Sequence, residues 1–422
     1  MKNINVGLIG LGNVGRSVYD ILIDQFDIIS GKSASKIVLR KVSSRTKKDF
    51  IDEKRVSFTE NAMDLAKDPE IDVIVEVAGG DSGLIYEVWK EALKNGKKIV
   101  TANKAMIANK GYELLNVALE NNGYFTFEAS VAGAIPIIKT LKEGLSANKI
   151  SSFLAILNGT SNYILTKMKD EGLDFSTALK QAQDLGYAES DPTFDIEGID
   201  TAHKLSILSA IAASKIPAFE KIYIEGISKI NIDDIKFAEE FGYKIKLLAI
   251  YKDNDSSQQQ YVFPAFIDKL EKISMIDDSF NAICLFGSNC DFHMSVGRGA
   301  GGRQTASAVV ADIIDIANDR LSFEFGVSKS KLNEFVLEDI NNRLGNYFIK
   351  IQHDNDANFD KKTFFEDIRA VKSCIYKNES GTIIHGIITD TIKESDLKKI
   401  LNLIETGSKV KTSFIRIEKL TA

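Results

Sequence analysis

Short apolar runs alternate with amphipathic stretches from the start of the chain. Residues 4–9 form an apolar run that ends at glycine, which predicts a buried strand. A helical pattern follows it, reaching about Phe26. Apolar runs at 37–42, 72–77 and 98–101 predict three more strands, and stretches near 60–67, 83–95 and 110–121 carry helical spacing. Strands that alternate with helices predict a parallel, doubly wound α/β sheet, here over residues 1–132.

The pattern then changes. Residues 136–295 mix helices and strands, with sheet elements predicted at 222–227 and 244–251, so 133–302 is expected to form an α+β domain. Glycines from Gly297 to Gly302 open an apolar helix that runs to about Ala317. Glycines before a helix permit close approach of an anion, and equally serve as a hinge returning helix 303–320 to the first domain. Strands at 347–352, 368–376, 382–389 and 410–417 are separated by helical patterns near 361–366 and 394–406. That βαββαβ order predicts a ferredoxin-like domain over 344–422.

Composition narrows the class. The 422 residues leave room for two to four domains, and an apolar share of 44% with 27% charged is that of an ordinary globular protein. A net charge of −6 argues against a nucleic acid or an anionic membrane as partner. No apolar run approaches the roughly 20 residues that span a bilayer, and Met1 leads straight into a strand, so neither membrane segment nor signal peptide is expected. Cys284, Cys290 and Cys374 lack CxxC spacing and read as reduced thiols of a cytoplasmic protein. The four histidines have no metal-ligand spacing.

The candidate chemistry begins at Gly10-Leu11-Gly12-Asn13-Val14-Gly15. Between a strand and a helix, GxGxxG is the dinucleotide fingerprint of the Rossmann fold. Gly10 permits the tight turn, Gly12 lets backbone approach a pyrophosphate, and Gly15 lets helix pack on strand. After the second strand stands Ser43-Ser44-Arg45-Thr46-Lys47-Lys48, with no carboxylate to repel a 2′-phosphate and a guanidinium to grip one. This favours NADPH, with NADH still open, although the same stretch also suits a solvated basic turn. Ligands of such sheets lie at the carboxyl ends of strands, which here carry Gly79 and Thr101-Ala102-Asn103-Lys104.

Three further segments belong together: Thr101 to Lys104; Glu128 to Pro136 with Asn158-Gly159-Thr160-Ser161; and Gly186 to Lys204. The last holds Glu189, Asp191, Asp195 and Glu197 in a loop that leads into a helix with Asp200 and Lys204 at i and i+4. Such a pair is also what a surface ion pair looks like. Beside a carboxylate cluster able to hold an amino group, however, the lysine is placed to protonate a carbonyl oxygen.

In these motifs and their order the chain, over residues 4–320, resembles the homoserine dehydrogenases. The resemblance implies NAD(P)H-dependent reduction of L-aspartate 4-semialdehyde to L-homoserine, on the route to threonine, methionine and isoleucine. It implies that Lys204 donates the proton, that Asp200 lies beside it against the substrate, and that Lys104 stands between cofactor and substrate. Glu189, Asp195, Tyr187, Gly159 and Thr160 are then substrate contacts. Gly186 and Gly301 join Gly10, Gly12, Asn13, Val14, Gly15, Arg45, Gly79 and Lys104 on the cofactor side. Glu128, Val131, Gly133 and Ile135 match a monovalent-cation site for an ion such as Na+, built largely from backbone oxygens; a plain strand-to-helix turn is the alternative. The resemblance further implies a catalytic and dimerisation role for 133–302, a homodimer or homotetramer, and an ACT domain at 344–422. The usual Pro-Gly of the ACT turn is missing from residues 353–360, so amino-acid binding is not expected there. A nucleotide sensor without turnover, or another amino-acid aldehyde dehydrogenase, remains an alternative reading.

Overall fold

The computed structural model describes residues 3–353, 361–377, 382–407 and 410–420. The chain divides into two compact units. The first holds Met1–Ile150, His203–Lys221 and Gly287–Phe335, the second Ser151–Ala202, Ile222–Phe286 and Val336–Ala422.

The first unit is built on β1 (Asn3–Ile9), β2 (Lys36–Ser43), β3 (Ser57–Thr59), β4 (Val73–Glu76), β5 (Lys98–Thr101) and β6 (Tyr124–Thr126). They pair in the order β3-β2-β1-β4-β5-β6, every pair parallel. This is the expected doubly wound sheet. Its central strands are apolar throughout because both faces are covered, and every residue of β4 is buried. Val6, Leu8, Val18 and Leu22 share one core with Val309 and Ile313 of the helix Gly302–Ala317, so that helix does return to the first unit. By compactness, 133–150, 203–221 and 287–302 group with this unit instead of with a separate middle domain. One cause is local: Ala134 N–H donates to Arg298 O at 3.1 Å, fastening the 133–135 turn to the approach of the returning helix. Strands β3 and β6 were not anticipated, and at three residues each they are too short to show a period.

The remaining strands are β7 (Ile150–Ile156), β8 (Tyr223–Ile224), β9 (Tyr243–Asp253), β10 (Gln258–Asp268), β11 (Phe280–Gly287), β12 (Asp291–Arg298), β13 (Leu344–His353), β14 (Ala370–Lys377), β15 (Ile383–Thr389), β16 (Ile392–Lys393) and β17 (Val410–Glu418). In the second unit they run β11-β7-β9-β10-β17-β13-β15-β14, with β8 on β10 and β16 on β13. The anticipated sheet element at 222–227 shrinks to the two residues of β8. The βαββαβ order is present, with helices Lys361–Asp367 and Glu394–Gly407, and the order β17-β13-β15-β14 is antiparallel and ferredoxin-like. Its sheet is not isolated, because Ala265, Phe266 and Ile267 of β10 pair in parallel with Arg416, Ile417 and Glu418 of β17. Ion pairs flank this seam, Lys252–Glu418 at 2.9 Å and Arg416–Glu225 at 2.7 Å, and Lys350–Asp234 at 2.6 Å ties β13 to the helix Ile232–Phe241. Of the turn 353–360, where amino-acid binding was not expected, residues 354–360 lie outside the described residues.

Candidate active site

The fingerprint turn has the geometry its glycines require. Gly10 has φ +95°, and a Cβ there would meet Ala78 N at 2.8 Å. A Cβ on Gly15 would lie 1.8 Å from Gly10 O, so helix Asn13–Asp24 can approach β1 only through glycine. Gly12 is different, since nothing lies within 4 Å of its would-be Cβ. A helix N-terminus with open space beside it is the kind of place that can take an anion. Asn13 and Val14 begin the helix, and Gly301, with φ +128°, precedes the helix Gly302–Ala317 that packs on it. Arg45 is exposed in the bend after β2.

At the end of β4 a buried carboxylate organises two of the expected cofactor segments. Glu76 Oε1 accepts from the N–H groups of Ala78 at 2.7 Å and Gly79 at 2.9 Å. Its Oε2 accepts from Trp89 Nε1 at 3.3 Å, Thr101 Oγ1 at 3.1 Å and Asn103 Nδ2 at 3.1 Å. The Asn103 amide also donates to Gly80 O at 2.6 Å, while its oxygen caps the helix Lys104–Glu120 by accepting from Met106 N. Glu76 thus fixes the Gly79–Gly80 loop and the start of the helix on which Lys104 stands.

In the second unit the substrate candidates gather on three short segments. Asn158 ends the chain after β7 and caps the helix Gly159–Asp170, its oxygen accepting from Ser161 N at 2.7 Å. Its Nδ2 donates to Asp195 Oδ1 at 2.7 Å and Asp200 Oδ2 at 2.9 Å. Thr160 Oγ1 donates to Tyr187 O at 2.8 Å, and the Tyr187 ring lies 5.0 Å from Tyr163. Gly159 has Ser279 O 2.8 Å from its would-be Cβ, and Gly186 has φ +74°. Glu189 is exposed, its backbone oxygen accepting from Gln183 Nε2 at 3.1 Å. The fingerprint residues, Arg45, Gly79, Lys104, Lys204 and Gly301 belong to the first unit; Gly186 belongs to the second with the substrate candidates.

Asp200 and Lys204 share the helix Ile199–Ala213 and are 7% and 8% exposed. The surface ion pair that their spacing also allowed is therefore not what the structure contains. His203, one position earlier, stacks on Phe219 at 4.0 Å and 6°, on a face of its own.

The Glu128–Ile135 segment is a buried turn in which Ala132 and Gly133 have φ of +56° and +51°. Such consecutive left-handed residues turn successive carbonyls in new directions, which suits a hard cation held by backbone oxygens. The Glu128 side chain itself is occupied, accepting from Ile138 N at 2.9 Å and Lys139 N at 2.8 Å. Burial, and then the nearby Asp312 carboxylate, push its carboxyl up to about 7. Among the described residues no cluster of three His, Cys, Asp or Glu side chains could hold a metal ion.

Residues 136–314 match the family described as homoserine dehydrogenase, and residues 10–128 match its NAD-binding domain. The chain belongs to the homoserine dehydrogenase family. It is 46% identical to the homoserine dehydrogenase of Helicobacter pylori over 77% of this chain and 76% of that one. The crystal structure of a homoserine dehydrogenase from Thiobacillus denitrificans superimposes with a TM-score of 0.91 at 35% identity, covering 100% of this chain and 99% of that one. A hyperthermophilic archaeal homoserine dehydrogenase in complex with NADPH matches at TM-score 0.63 and 28% identity, covering 76% of this chain and 99% of that one. The protein is therefore an oxidoreductase of amino-acid biosynthesis that binds a nicotinamide cofactor and reduces L-aspartate 4-semialdehyde to L-homoserine. No described helix is long and apolar enough to cross a membrane. The fingerprint, the lysine and the carboxylates are visible in the sequence, but the roles of Glu76, Asn103 and Asn158 are not. Glu76 closes an apolar strand and Asn158 begins the Asn158-Gly159-Thr160-Ser161 segment, yet neither residue type signals its partners.

Proposed function

We propose that Lys204 protonates the aldehyde oxygen of the substrate while Asp200 keeps that ammonium aimed. The observation carrying this is the burial of both side chains one turn apart on the helix Ile199–Ala213. Burying charge is costly, and an active site is where such a cost serves a purpose. When bound, the nicotinamide supplies the hydride. As the aldehyde carbon is reduced, negative charge grows on its oxygen; an ammonium fixed beforehand stabilises that charge and then gives up a proton. Asp195, Glu189, Thr160, Gly159 and Tyr187 position the amino-acid end of the substrate, whose ammonium is drawn to the carboxylates. Lys104 stands between cofactor and substrate, and Gly186 borders the cofactor.

The fingerprint residues, Gly79 and Gly301 cradle the cofactor, with Arg45 favouring NADPH through its 2′-phosphate. Glu128, Val131, Gly133 and Ile135 hold a monovalent cation such as Na+ that stiffens the turn. The enzyme works in the cytoplasm as a homodimer or homotetramer, without nucleic-acid or membrane partners, and its C-terminal βαββαβ segment is an ACT-like domain.

The test follows nicotinamide absorbance with aspartate semialdehyde. Lys204→Ala should lower kcat by roughly 100-fold or more, the scale of a lost general acid. Cofactor affinity should stay within a factor of two or so, because the lysine serves the substrate oxygen. A folded variant with unchanged kcat removes Lys204 from the mechanism.

A further inference from the structure

We propose that Asn158 is a positioning residue for this reaction: its carboxamide clamps Asp195 and Asp200 into one arrangement and so sets the charge that faces the substrate. The inference rests on the reading of Asp200 and Lys204 given above, and concerns how that site is held.

Asn158 is 5% exposed and makes three directed bonds. Its Oδ1 must face the helix it caps, because only an oxygen can accept from Ser161 N–H at 2.7 Å. With that end fixed, both hydrogens of Nδ2 point the other way, one to Asp195 Oδ1 and one to Asp200 Oδ2. Trigonal geometry at the nitrogen then dictates where the two oxygens stand. The clamp joins three elements: the start of the helix Gly159–Asp170, the short helix Thr193–Ile196 and the start of Ile199–Ala213. Ser161 Oγ adds a second tie to the same short helix, donating to Asp195 O at 2.9 Å.

The chemistry explains an amide at this place. Two carboxylates side by side repel each other, and without a donor one of them takes up a proton more readily. A lysine or arginine would offset the repulsion but would also neutralise the pair. A neutral amide satisfies one lone pair on each carboxylate and leaves both negative charges for the substrate ammonium and the Lys204 ammonium. The cap and the clamp are separate duties of one side chain, so they can be tested apart.

Asn158→Ala removes both duties. Asn158→Asp keeps the cap, since a carboxylate oxygen also accepts from Ser161 N–H, but replaces the clamp's donors with a third negative charge. If Asn158 only caps the helix, the aspartate variant should be the better of the two in both Tm and activity. The clamp predicts the reverse order in activity: Asn158→Asp should have the lower kcat/KM, by roughly 100-fold or more from the parent against roughly 10-fold for alanine, because a third carboxylate repels the pair. KM for aspartate semialdehyde should rise in both, while KM for the cofactor stays put. Asp200→Asn is measured alongside. An inactive Asp200→Asn beside an Asn158→Asp enzyme that matches the parent, or that is more active than Asn158→Ala, overturns the clamp alone. An Asp200→Asn enzyme as active as the parent overturns the underlying reading of the site.

Discussion

The two ends of the reaction manage negative charge by opposite means. In the first unit the fingerprint turn is shaped by backbone, and Glu76, at the end of β4, is 0% exposed and occupied by backbone and neutral side-chain donors. In the second unit two carboxylates, Asp195 and Asp200, share one amide nitrogen. The first arrangement commits a carboxylate to holding loops. In the second, on the function proposed above, the carboxylates serve the substrate. Substitutions in the first region should therefore act through shape and stability, and those in the second through rate and pH.

The largest effect that would sharpen this contrast is steric. Gly15→Ala places a methyl group 1.8 Å from Gly10 O, a backbone atom that cannot swing aside. Helix and strand must part, so cofactor affinity should fall by on the order of 100-fold or more with a loss of Tm. Cofactor titration and a melting curve check it; near-normal binding would mean the turn can re-form without its glycine.

Next comes Glu76→Gln. The new NH2 group faces donors where an oxygen stood, leaving buried N–H groups unmatched at about 1–3 kcal/mol each. Tm should drop by several degrees, and cofactor KM should rise as the Gly79–Gly80 loop loosens. Asp200→Asn should do the reverse, lowering rate at nearly constant Tm. If both carboxylates behave alike in Tm and rate, the comparison fails.

The smallest effect is the most selective. Arg45→Ala should weaken NADPH by roughly 10- to 150-fold, the worth of a charge-assisted contact of about 1.5–3 kcal/mol, and leave NADH nearly unchanged. Equal effects on both cofactors would make Arg45 a solvated turn residue.

What could be read in the sequence were features with local causes. The fingerprint glycines, the apolar runs of β1, β2, β4 and β5, and the i, i+4 spacing of Asp200 and Lys204 depend on near neighbours. The βαββαβ order was likewise visible, because each of its elements is long enough to show a period. Glu76 was hidden because its donors lie from Ala78 to Asn103, and Asn158 because its two carboxylates lie 37 and 42 residues further on. Whether Asp200 and Lys204 formed an exposed pair or a buried one was equally a question of packing, which spacing does not decide.

The parallel seam between β10 and β17 also fixes when this protein can finish folding. Ile267 pairs with Lys244 of β9 on one side and finds its second partner in Glu418. Lys252 and Arg343 both pair with that glutamate, and Asp234 waits for Lys350. During synthesis the six strands of the first unit's parallel sheet are all made by Thr126, although the helix Gly302–Ala317 that shares their core follows later. The second unit must hold an unpaired β10 edge and uncompensated charges until the chain has emerged through Glu418. Long-range pairing of this kind is slow and leaves strand edges open to wrong partners. A chain cut near Asn341 would keep that exposed state permanently, so its failure would report an unfinished sheet before it reported any lost control by the C-terminal segment.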